Sequence, residues 1–142
     1  MAVELVSGDP LQTTCQTLAI GHNRTGRTEM DDFSRDLMRK FPAAYASYEQ
    51  RCRKNRQASG ELYLWTQSKP RLLFLTVRDS SVGATRLRHV QQCLITVARD
   101  YRQYQIESLA IAPLSIPQEW EEIRALIERW LSKMPVQVEI YR

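Results

Sequence analysis

The chain reads as alternating short apolar runs and amphipathic stretches separated by polar turns. Residues 2–6 (AVELV) alternate apolar and polar before a Ser-Gly-Asp-Pro turn, which predicts a first strand. Thr17-Leu18-Ala19-Ile20 is a brief apolar run that stops at Gly21 and predicts a buried strand. The polar, turn-rich segment 21–30 (GHNRTGRTEM) predicts a loop. From Asp31, the residues Phe33, Leu37, Met38 and Phe41 fall at helical spacing. Pro42 interrupts that pattern, and Ala44, Tyr45, Tyr48 and Cys52 predict a second helix. Residues 61–65 (ELYLW) alternate as a strand, and the continuous apolar run 72–77 (LLFLTV) suits the centre of a sheet. Thr85 is a candidate cap for a long helix whose buried stripe is Leu87, Val90, Leu94, Val97, Ala98 and Tyr101. Ser108–Ala112 predicts another buried strand. Pro117 sits where a helix can open, with Trp120, Ile123, Ile127, Trp130 and Leu131 on its inner face, and residues 136–141 alternate as a closing strand.

This order describes a three-layer α/β/α sandwich with a mixed central sheet, in one domain spanning 1–142. Ligands of such sheets bind beyond the carboxyl ends of the strands, so a site is expected among the loops 21–30, 78–84 and 113–117.

Composition narrows the class. Apolar residues make up 43% of the 142, too many for a disordered chain. No apolar run approaches the length of a membrane helix, and the amino terminus lacks the features of a secretory signal. Three widely spaced cysteines (Cys15, Cys52, Cys93) fit a reduced, cytoplasmic protein better than a disulfide scaffold or zinc site. Residues 24–104 carry 16 basic and 8 acidic side chains, and most of the excess is arginine. That excess suits either a solvated surface or a polyanionic ligand. No phosphate-binding glycine loop, nucleophile elbow or metal-ligand spacing occurs, so neither a metal nor a cofactor is expected.

Several phrases, in order, resemble a macrodomain, the ADP-ribose-binding α/β module. They are Gly8-Asp9-Pro10-Leu11, Asn23, Phe41-Pro42-Ala43-Ala44-Tyr45 with Tyr48 and Cys52, Thr85-Arg86-Leu87, and residues 108–114 (SLAIAPL). The likeness covers nearly the whole chain and is nearest to the branch that removes ADP-ribose from DNA. It implies that Asp9 accepts from the adenine amino group, where the residues alone read as a turn. It implies that Asn23 touches the distal ribose, where the alternative is a loop asparagine bonding its own backbone. It places Arg78 at the position of a lysine that acts on that ribose. Arginine does not surrender its proton, so the role left to Arg78 is stabilising charge or binding phosphate.

Departures from the pattern accompany the matches. Ile20 replaces the first asparagine of the family's strand-end pair. The glycine-rich stretch that follows is here Arg24–Asp32 with one glycine, and the later diphosphate loop is 114–119 (LSIPQE) with none. Arg24 and Arg27 are candidates to supply side-chain contacts instead. The resemblance therefore implies Asn23 and Arg78 as catalytic candidates and Asp9, Ile20, Gly21, Arg24, Arg27, Ser115 and Ile116 as ligand-binding ones. Three functions are in play. One is an ADP-ribose or nucleotide-binding module with weak or no hydrolase activity. The others are a non-catalytic interaction subunit of a protein complex and a glycohydrolase acting on ADP-ribosylated nucleic acid.

Overall fold

A computed structural model describes residues 3–142. Six strands form one sheet: β1 (Val3–Val6), β2 (Thr17–Asn23), β3 (Leu62–Trp65), β4 (Arg71–Arg78), β5 (Ser108–Ile111) and β6 (Gln137–Tyr141). Their spatial order is β1-β6-β5-β2-β4-β3. All neighbours are parallel except β3, which runs antiparallel to β4 at one edge. Four α-helices lie among the described residues: α1 (Asp32–Lys40), α2 (Pro42–Arg53), α3 (Leu87–Asp100) and α4 (Trp120–Leu131). Ala2, at the start of the predicted first strand, lies outside the described residues.

The period of two along each strand sorts side chains to the two faces. Leu18, Ile20, Leu72 and Phe74 join Leu37, Ala44, Tyr45 and Tyr48 under α1 and α2. Ala19, Leu73, Leu75 and Val77 join Val90, Leu94, Ile123 and Ile127 under α3 and α4. The sheet is therefore covered on both sides, which is why β2 and β4 read as nearly unbroken apolar runs. Among the described residues, no helix is long and apolar enough to cross a membrane.

Three local expectations are corrected. β2 does not stop at Ile20; Gly21, His22 and Asn23 continue it as far as Arg78 on β4. Polar residues belong in this strand end because their partners are buried with them. Thr85 does not cap α3: Arg86 holds the cap position without a side-chain bond, and the Thr85 hydroxyl donates to the Leu114 carbonyl at 2.7 Å. Pro117 opens a single 3-10 turn (Pro117–Glu119), and α4 begins at Trp120.

Candidate functional site

The carboxyl ends of β2, β4 and β5 open onto a cleft of about 660 Å³, within the ordinary range for small-molecule sites. Its apolar wall includes Pro10, Ile20, Phe33, Leu37, Pro113 and Ile116, and its polar groups include Glu29, Asp31, Ser34, Arg78, Thr85 and Glu119. Met30 and Ile116 stand at the cleft but are 66% and 59% exposed, so neither fills it.

A register shift between His22 and Asn23 brings Asn23 opposite Arg78, with Val77 as the extra residue. Such a bulge re-aims the side chains at a strand end. Gly21 packs closely here. A Cβ at this position would lie 3.1 Å from Val77 Cγ2 and in ordinary contact, 3.6 Å, with Arg78 Nη2, so a side chain here would press on Val77.

Asn23 is fully buried. Its amide donates to Glu29 Oε2 at 2.7 Å and to the Arg27 carbonyl at 3.0 Å. Its Oδ1 accepts from the Thr25 backbone N–H at 3.0 Å and the Thr25 hydroxyl at 2.6 Å. Two donors and two lone pairs are thus all used within the loop 24–29. Arg78 donates through Nε to Glu29 Oε2 at 3.2 Å, and through Nη1 to Thr85 Oγ1 at 2.8 Å and the Leu114 carbonyl at 3.2 Å. The side chains of this ion pair are only 14% and 6% exposed.

Beneath the pair, His22 Nδ1 accepts from the Asn23 backbone N–H at 2.8 Å. Its ring sits against Tyr45 and Tyr48. Burial pushes the His22 pKa below its ordinary value, opposed by the Glu29 charge, so the ring is neutral at pH 7. Tyr48 stacks on Phe74 and donates to the Asn23 carbonyl at 3.0 Å, which fixes the strand end from below.

Of the ligand-binding candidates, Ile20, Gly21, Ser115 and Ile116 meet at this cleft together with Arg78. The Ser115 hydroxyl is bonded to Glu119. Asp9 is exposed next to Pro10, and its Oδ1 caps a 3-10 turn by accepting from Leu11 N at 2.9 Å. Arg24 and Arg27 are set elsewhere, on a polar cleft of about 740 Å³ shared with Glu49, Cys52, Arg53, Asn55 and Gln57. Glu29 and Thr85 carry no periodicity signal; an acid within a polar loop reads as solvated. Among the described residues, no group of side chains has the composition to hold a metal ion.

Similar proteins match along almost the whole chain. The macrodomain of Thermus aquaticus DarG aligns at a TM-score of 0.88 and 19% identity, over 99% of this chain and 97% of that one. That of Mycobacterium tuberculosis DarG aligns at 0.89 and 21%, over 98% and 96%. The chain has the macrodomain fold. Thermosipho africanus DarTG, solved in complex with ADP-ribose, aligns at a TM-score of 0.89 and 22% identity over 99% of this chain and 41% of that one. A curated DNA ADP-ribosyl transferase–DNA ADP-ribosyl glycohydrolase fusion protein from the same organism is 25% identical over 162 residues, covering 98% of this chain. The chain spans 41% of that relative's length. No family model matches the sequence.

Proposed function

We propose that residues 1–142 form an ADP-ribose-binding macrodomain with weak or no hydrolase activity. The observation that carries the reading is the open cleft of about 660 Å³ at the carboxyl ends of the central strands, in a fold shared with a DarTG structure that holds ADP-ribose. An apolar wall of Ile20, Phe33 and Leu37 suits a base, and the polar inner end around Arg78 suits a sugar.

Weak catalysis follows from the inner end itself. Arg78 is tied to Glu29, and a guanidinium is no general base. The Asn23 amide is fully used by its own loop. Diphosphate binding is also weakened: the segment 114–119 has no glycine, and Glu29, Asp31 and Glu119 outnumber Arg78 among the charged lining residues. Isothermal titration with ADP-ribose is expected to give saturable heat at high-micromolar ligand. No heat at millimolar ligand overturns the reading. Release of ADP-ribose from modified DNA at a rate well above background overturns the statement on catalysis.

A further inference from the structure

The positive charge of the chain gathers around the carboxyl end of α2, outside the apolar cleft. The polar cleft of about 740 Å³ bordered by the loop after β2 is lined by Arg24, Arg27 and Arg53 against a single acid, Glu49. A second polar cleft, of about 490 Å³, is lined by Arg51, Arg56 and Arg99 against Glu61 and Asp100. The segment 51–57 borders both, and the exposed Lys54 lies on it. This region therefore carries an excess of four positive charges, equal to the whole net charge of +4. The apolar cleft is opposite in sign, with Glu29, Asp31 and Glu119 against Arg78.

Four of these cations are idle. Arg53 pairs with Glu49 and Arg99 with Asp100, and Arg51 donates through Nε to Gln57 Oε1 at 2.6 Å. Arg24, Arg27, Lys54 and Arg56 are exposed, and no side-chain hydrogen bond or ion pair engages them among the described residues. The helix end does not need them either. The backbone N–H groups of Lys54, Asn55 and Arg56 donate to the carbonyls of Gln50, Cys52 and Arg51, and Asn55 closes that turn at a φ of +56°. The last carbonyls of α2 are thus met by backbone, and the cationic side chains are left to solvent.

We propose that the two clefts form one track for the phosphate backbone of a nucleic-acid strand, a site separate from the apolar cleft and independent of the ADP-ribose reading. Six of the seven cations are arginine, whose planar guanidinium takes phosphate oxygens in pairs. Charge spread over two adjoining clefts matches a repeated phosphate better than one small anion. No aromatic side chain lines the first cleft, and Tyr104 alone lines the second. Bases therefore find no row of stacking platforms, and binding follows the backbone rather than the sequence.

Fluorescence polarisation with a labelled oligothymidylate of about 20 nucleotides tests the track. With four free cations, affinity is expected to fall with salt at a log–log slope of about −3, or about fiftyfold between 50 and 200 mM. Replacing Arg24, Arg27 and Arg56 together by alanine is expected to weaken binding at least about tenfold at the lower salt and to bring the slope to about −1. A control variant replaces three exposed arginines outside both clefts, Arg35, Arg88 and Arg129, by alanine. It loses the same net charge and is expected to stay within about threefold of wild type. Thermal melts accompany both variants, and R56A alone, with a slope shallower by about 0.7, decides the matter if the first does not fold. Absence of binding at the lower salt, equal losses in the two triple variants, or displacement of the strand by ADP-ribose overturns the track. Competition by polyglutamate as strong as that of an unlabelled strand of equal charge assigns the surface to acidic polypeptides and overturns the phosphate assignment.

Discussion

At the scale of single residues, the polar groups beneath the cleft are arranged by burial rather than by solvent. His22 is 1% exposed, between two tyrosines and the end of β2. Burial is the first cause of its lowered pKa and the Glu29 charge only partly offsets it. The folded chain therefore takes up this proton at lower pH than the unfolded chain, whose histidine titrates near 6.5. The associated stability is complete above about pH 6.5 and is lost as the pH falls below it, with a limiting slope of about 1.4 kcal/mol per pH unit for one proton. Denaturant melts between pH 7.5 and 5.5 are expected to show this loss, and His22→Gln is expected to flatten it. An equal slope in the variant would assign the acid sensitivity to other groups.

At the scale of elements, the hydrophobic period located the strands and helices because their apolar faces must meet the two cores. Leu72–Val77 and the stripe Val90, Leu94, Val97 are read directly from the sequence and lie where that reading puts them. The same logic failed at the end of β2. Gly-His-Asn looks like the start of a loop, yet all three residues belong to the strand: Tyr48, Thr25 and Glu29 satisfy the polar groups of Asn23, and the Asn23 N–H serves His22, out of water. Partners that lie far apart in the chain leave no local signal. The resemblance pointed to Ile20, Gly21, Ser115 and Ile116, which line the cleft, and to Asp9, which caps a turn instead, whereas Glu29 needed the fold.

The loop after β2 is itself an element with a mechanical role. Gly26 has φ of +78°, and a Cβ there would lie 3.0 Å from both Cys52 Cβ and Glu49 Cα. The left-handed backbone and the close approach to α2 both require glycine. Gly26→Ala is expected to cost about 2 kcal/mol and lower the melting temperature by roughly 5–10 °C. Because Asn23 and Glu29 hang on this loop, the variant is also expected to weaken ADP-ribose binding more than its stability loss alone requires. A variant as stable as the wild type would show that the loop does not depend on this docking.

At the scale of the whole molecule, the central excess of positive charge does not converge on the apolar cleft. The loop 24–29 turns Glu29 inward to Arg78 and sends Arg24 and Arg27 to the other cleft, beside Arg53. If the ligand lies in the cleft at the strand ends, these two arginines act on it only through long-range charge. Such an effect fades beyond about 8 Å at physiological salt. Replacing both by glutamate shifts the net charge from +4 to zero, a large perturbation of the overall field with no loss of a cleft-lining group. The double variant is expected to bind ADP-ribose within about twofold of wild type at 150 mM salt, with any small difference shrinking as salt is raised. A direct bond from either guanidinium to a ligand phosphate would instead leave a loss of tenfold or more that persists at high salt, because a partly desolvated ion pair is poorly screened. Titration at two salt concentrations separates these outcomes. The second would place the ligand across the loop, outside the cleft that Arg78 and Glu29 close.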